Sequence, residues 1–183
     1  MRRISEEDAI RLLAAARGSV EAAASGARLP EPPEGGAADL DAGAFVTLKN
    51  RADGSLRGCI GSFSGLGSLG RTVVRMAAAA AVEDPRFFPL RPAEVPGTRI
   101  EISVLGPMER CSPDSVVPGS HGVYVRLGRN AGTLLPQVAV EEGWSREELL
   151  SHTCMKAGLQ PDVWRTRPEI EIYVYTAEIL SED

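Results

Sequence analysis

Cys59 follows Arg57 by two positions in the hexapeptide Leu56-Arg57-Gly58-Cys59-Ile60-Gly61. In a strand, alternation turns Leu56 and Ile60 toward apolar packing and puts Arg57 and Cys59 together on the other face. A guanidinium beside a thiol favours the thiolate, which strengthens both a nucleophile and a ligand. Gly58 and Gly61 carry no side chains, so a backbone or a ligand can approach the sulfur closely. The plainer reading makes Cys59 a small buried hydrophobe and assigns the glycines to a bulge.

Other polar residues could join this pair. His121, in Gly119-Ser120-His121-Gly122, reads as a loop imidazole able to carry a proton for Cys59 if the fold brings them within reach. Equally, it could only tie down its own loop. Glu101 shares a strand face with Ser103. It is a partner for Arg57, a general base, or a residue of a solvated sheet face. Gln137, just after Pro136, could offer an amide to a polar ligand from an irregular edge strand. His152 and Cys154 lie two apart on an expected helix, about 200° around its axis, so they cannot hold one ion together. Lys156 shares the His152 face. We expect Cys154 in the core, and His152 facing a cleft or packed under Trp144 or Trp164. No metal and no cofactor are expected. Gly65-Leu66-Gly67-Ser68-Leu69-Gly70 has a dinucleotide-like spacing, but Gly70 falls inside a helix and no ribose-binding acid follows.

The elements that must position these residues follow from hydrophobic period and punctuation. A helix is expected over Glu6–Arg17, with Ser5 as N-cap and Gly18 as its stop. The chain then turns to Ala, Gly and Pro, with a Pro/Gly-rich surface connection over 26–42. Phe45–Lys49 and Leu56–Ile60 form a hairpin around Asp53-Gly54. An Ala-rich helix over Ser68–Glu83 is ended by Asp84-Pro85. Arg99–Leu105 alternates as a strand. Val123–Leu127 and Thr133–Val138 resemble a second hairpin, with Pro136 at an edge or bulge. Ser145-Arg146-Glu147-Glu148 is a capping box opening a helix to about Lys156, and Glu169–Leu180 alternates as one long closing strand. Adjacent strand pairs separated by helices give an α+β fold with a mainly antiparallel sheet and three to four helices.

The hexapeptide at positions 56–61 resembles the signature of the AMMECR domain family. The likeness extends to Gly43–Leu48, Asp84-Pro85-Arg86-Phe87, Glu101–Leu105, Gly119–Val123, Leu134–Ala139 and Leu150–Leu159. It spans most of the chain in family order, with the 26–42 connection the least family-like part. The resemblance implies a single domain over 1–183, built of a larger and a smaller lobe flanking a cleft near the hexapeptide. It implies no established reaction. It also implies partnership with MEMO-type proteins or radical S-adenosylmethionine proteins, an associational warrant.

Composition bounds the rest. The chain has 183 residues, 43% hydrophobic and 25% charged, as in an ordinary globular protein. Its longest uninterrupted apolar run, Met76–Val82, is seven residues, whereas a bilayer helix needs about 20. The start, Met1-Arg2-Arg3-Ile4-Ser5-Glu6, lacks the apolar segment of a secretory signal, and three cysteines give an odd count. Reduced thiols and a cytoplasmic location are the expectation. A net charge of −5 argues against a nucleic-acid binder. All but Lys49 and Lys156 of the 20 basic residues are arginine. Two function classes stand. One is a ligand- or partner-binding module with a cleft built around Arg57 and Cys59, taking a small polar ligand or a protein, with homodimerisation open. The other is a cysteine-dependent enzyme using Cys59 and His121. In either, Arg57, Gly58, Gly61, Glu101, Gln137 and His152 are candidate ligand contacts.

Overall fold

The computed structural model describes residues 3–183; the first two residues of the amino-terminal stretch lie outside the described residues. The chain forms two compact units, a larger one of residues 3–105 with Glu178–Asp183 and a smaller one of Gly106–Ala177. Both are α+β. Among the described residues, five α-helices and three 3-10 helices accompany eight strands, and the helices beyond the three or four expected are short. None of the helices is long and apolar enough to cross a membrane.

In the larger unit, helix α1 (Glu6–Ser25) is capped by the Ser5 hydroxyl, which accepts from the Asp8 N–H at 3.1 Å. It runs past Gly18, the expected stop, and ends at Gly26 in the left-handed conformation with φ 70°. One interior glycine costs only about 1 kcal/mol relative to alanine. Burying Val20 in the stripe formed by Leu12, Ala16 and Ser19 outweighs that. The connection over 26–42 carries a short 3-10 helix, Gly36–Asp39, whose Ala37 and Ala38 are buried. Asp8 holds it by accepting the Ala37 N–H at 3.1 Å, and Arg11 donates to the Gly35 carbonyl at 2.7 Å.

Strands β1 (Ala44–Asn50) and β2 (Leu56–Ser62) form the expected hairpin, with Gly54 at φ 72° in its turn. Helix α2 (Leu69–Val82) follows, capped by Ser68 and ending before Pro85. It is buried on nearly all sides, as a helix between another helix and a sheet must be. Strand β3 is Thr98–Leu105, and the sheet order is β2-β1-β3-β8, with β8 (Ala177–Ser181) last. One sheet face, formed by Ala44, Val46, Leu48, Ile100, Ile102 and Val104, shares a core with Leu12, Leu69, Val73 and Ala77.

The smaller unit contains β4 (Glu109–Arg110), β5 (Gly122–Leu127), β6 (Asn130–Leu134), α3 (Pro136–Glu141), α4 (Arg146–Lys156), α5 (Val163–Thr166) and β7 (Glu171–Tyr175). The strands order as β4-β7-β5-β6, over a core of Val123, Val125, Leu149, Leu150, Cys154 and Ile172. Three sequence expectations change here. The second hairpin turns on two residues, Gly128 and Arg129, because Leu127 pairs with Asn130. Pro136 is not at a strand edge: it opens α3, where its missing N–H costs nothing and its fixed φ suits the first helical position. The expected closing strand is two strands, β7 and β8, belonging to different sheets and broken at Thr176. Its alternation is continuous, so period alone does not reveal the change of sheet.

Candidate functional site

Cross-strand register builds the polar face of the larger unit's sheet. Thr47 of β1 pairs with Cys59 of β2 on one side and with Glu101 of β3 on the other. Paired residues point the same way, so Cys59, Thr47 and Glu101 form one row. The Thr47 hydroxyl donates to the Cys59 sulfur at 3.3 Å. Glu101 does not take Arg57 as its partner; its carboxylate is shared by Lys49 at 2.8 Å and Arg99 at 2.9 Å.

A β-bulge explains where Arg57 goes. Leu48 pairs with Gly58 and Lys49 with Leu56, which leaves Arg57 as the extra residue. Leu56 consequently stands opposite Lys49 and is exposed, rather than sharing the core with Ile60. The Arg57 side chain, 14% exposed, donates to Glu94 at 3.2 Å and lies 6.0 Å from the centre of the Phe87 ring. Its Nη1 is buried with no hydrogen-bond partner among the described residues.

The guanidinium at Cys59 is that of Arg86, which donates to the Cys59 carbonyl at 3.4 Å. The Cys59 N–H donates to Asp84 Oδ2 at 2.8 Å. Asp84, 5% exposed, also takes Arg86 Nη2 at 2.7 Å. The Arg86 guanidinium, followed by the Cys59 and Arg86 backbone N–H groups, holds this carboxyl well below the usual carboxylate range against its burial. The Asp84–Arg86 pair thus caps the outer backbone edge of β2 at Cys59 with side chains, closing it to another strand. Neither residue was a candidate from sequence, where Asp84-Pro85 reads as a helix stop. The missed signal is the arginine two residues on: Asp84 Oδ1 accepts the Arg86 N–H at 3.1 Å, a local turn that aims both charges at β2.

The glycines serve packing. A Cβ on Gly58 would lie 2.2 Å from the Ala80 carbonyl oxygen of α2, and one on Gly61 would lie 2.2 Å from the Phe45 ring. Beyond β2, Arg57, Arg86, Phe87, Phe88, Pro89, Arg91 and Glu94 line a concavity of about 610 Å³. The Arg91 N–H and guanidinium, with help from Arg57, draw the Glu94 carboxyl down to about 2. It is ionised at neutral pH and already engaged. Chemically, the concavity offers three guanidiniums and two phenylalanine rings to an occupant.

The remaining candidates lie in the smaller unit. His121 ties down its loop: its ring Nδ1 accepts the Val117 backbone N–H at 3.2 Å, and the His121 backbone N–H donates to the Val117 carbonyl at 2.9 Å. An accepting Nδ1 leaves the proton of the neutral ring on Nε2. His121 also lines a cavity of about 140 Å³ with Glu109 and Tyr175. Gln137 sits in the first turn of α3, not on an edge strand, and its Oε1 is buried without a partner among the described residues. His152 stacks on Trp144, ring centres 3.9 Å apart and planes within 3°. Cys154 is fully buried, and burial pushes its thiol pKa up, as it does that of Cys111. Among the described residues no group of three or more His, Cys, Asp or Glu is placed to hold a metal ion.

Residues 13–180 match the AMMECR1 family. A Methanopyrus kandleri protein is 44% identical over 167 residues, covering 87% of this chain and 80% of its own. A Thermococcus gammatolerans protein is 42% identical, covering 100% of this chain and 94% of its own. The crystal structure of an uncharacterized protein from Pyrococcus horikoshii superposes with a TM-score of 0.92 at 36% identity, covering 98% of this chain and 94% of that one. Sequence motif, length of match and fold agree, and the chain belongs to the AMMECR1 family.

Proposed function

We propose that the protein is a binding module whose site is the concavity beside β2, with Arg57 as its central recognition group and Cys59 as part of the supporting strand. The observation that carries this reading is the division of labour at the hexapeptide. Arg57, displaced by the bulge, lines the concavity beside Glu94, and its side chain keeps 14% of its surface exposed there. Cys59 has both backbone groups held by Asp84 and Arg86 and its sulfur hydrogen-bonded by a hydroxyl. A guanidinium held in place by Glu94 and packed by Phe87 is ordered in advance for an occupant's oxygen, which lowers the entropy lost on binding. Both histidines of the chain belong to the smaller unit, so within the larger unit Cys59 has no imidazole to act as its base.

The partners we propose are a MEMO-type protein or a radical S-adenosylmethionine protein of the same genome. Titration calorimetry with the purified MEMO-type protein tests the reading. Arg57→Ala should weaken association about tenfold or more, and Cys59→Ser should leave it within about twofold. Loss of association in a folded Cys59→Ser variant, together with rapid alkylation of Cys59, would replace the binding module with a cysteine-dependent enzyme.

A further inference from the structure

Phe88 is 90% exposed, an unusual place for a phenylalanine, on a loop that is firmly held. Pro85, Pro89 and Pro92 restrict its backbone. The neighbouring Leu90 is buried, and its N–H donates to the Ala81 carbonyl of α2 at 2.8 Å. The adjacent Phe87 ring is flanked by Arg57 at 6.0 Å and Arg86 at 5.5 Å. The exposed ring therefore belongs to a fixed platform and is presented to solvent by a rigid backbone.

Charge identifies what the platform suits. Arg57, Arg86 and Arg91 line the concavity with Glu94, and with the Asp84 carboxylate on Arg86 counted the patch keeps one net positive charge on a chain of net charge −5. Arg91 is 82% exposed, and Glu94 occupies only part of its hydrogen-bonding capacity. A small anion would meet the guanidiniums and leave the Phe88 ring in water. An extended segment carrying carboxylates and one apolar side chain would satisfy both, and a volume of about 610 Å³ admits several side chains. A platform ordered in advance also reduces the entropy lost on docking.

We propose that this platform docks an acidic segment of a partner protein, its carboxylates on Arg57 and Arg91 and an apolar side chain against Phe88. The proposal rests on the binding reading above and names the chemistry of the partner at the same site. The probe is a fluorescein-labelled peptide of glutamates interspersed with leucine and phenylalanine, compared by anisotropy with its glutamine counterpart. The glutamate peptide should bind, and weaken about tenfold when salt rises from about 50 to about 300 mM. The glutamine peptide should bind at least about tenfold more weakly. Arg91→Glu and Phe88→Ser, both at exposed positions, should weaken the glutamate peptide about tenfold and about threefold, with the unfolding midpoint unchanged for Phe88→Ser and slightly lowered for Arg91→Glu, which loses its ion pair with Glu94.

Equal binding of the two peptides, wild-type affinity in both variants, or no binding at about 1 mM would overturn the proposal. So would occupancy by inorganic phosphate with no peptide binding, or self-association that Arg91→Glu abolishes, which would give the platform to a second copy. The two readings fail separately. If the MEMO-type protein binds Arg91→Glu and Phe88→Ser as well as wild type but not Arg57→Ala, the acidic-segment proposal alone falls.

Discussion

Asp84 accepts the backbone N–H of Cys59 at 2.8 Å across 25 positions of sequence. The same carboxylate binds Arg86, so one buried group joins the end of α2 to the outer edge of β2. This contact fixes the strand that carries the signature hexapeptide.

Asp84→Asn should destabilise the protein by about 2–3 kcal/mol, the size expected for charge-assisted hydrogen bonds at a buried acceptor. Arg86 is left without its counter-ion. Urea unfolding of wild type and variant checks this, with unchanged slopes showing that the native compactness is kept.

Acid should act through the same carboxyl. Its folded pKa lies below the unfolded value of about 3.9. The stability it contributes is therefore present above the unfolded value and lost as pH falls toward the folded one. Between about pH 5 and pH 2 the wild type should lose more stability than Asp84→Asn, measured by urea unfolding at each pH.

Gly58→Ala should be more damaging than Gly61→Ala. At Gly58 the new methyl meets the Ala80 carbonyl of α2, and backbone cannot yield, so about 3 kcal/mol or more is expected. At Gly61 it meets the near end of the Phe45 ring, which can give way only by moving the whole side chain off its contact with Phe63, for about 2 kcal/mol. Thermal unfolding of the two variants should rank them in this order.

Tyr175 is buried, and burial pushes its phenol up to about 12 although Thr133 bonds it at 2.7 Å. A pKa raised by folding contributes stability that is complete below the unfolded value of about 10 and fades as pH rises through the folded one. Tyr175→Phe should flatten that alkaline loss between about pH 10 and 12, followed by circular dichroism at fixed urea.

Residues 106–177 should fold alone. Their ends meet, since the Gly106 N–H donates to the Thr176 carbonyl at 2.8 Å, and they enclose their own core around Leu149 and Leu150. A domain of this size supports only about 3–5 kcal/mol. A dispersed amide spectrum and one cooperative thermal transition for the isolated segment are the expected result.

Local rules written in the sequence settled most elements. Ser5, Ser68 and Ser145 cap the helices they precede, Asp53-Gly54 turns the first hairpin, and Pro85 follows the end of α2, because caps, turns and proline act over a few neighbouring residues. Cys154 lies in the core as the sequence suggests, whereas for His152 the sequence leaves a cleft, Trp144 and Trp164 open and only the structure selects Trp144. Alternation also put Cys59 and Glu101 on matching strand faces, which the register joins through Thr47. What the tertiary structure alone decided depends on partners distant in sequence. A bulge against β1 sends Arg57 to Glu94, so Arg86 becomes the guanidinium at Cys59 and Lys49 takes Glu101. The break at Thr176 divides one alternating run between two sheets. Periodicity records which face of a strand is apolar; it carries no information about which neighbour lies opposite, and long-range pairing free energy makes that choice.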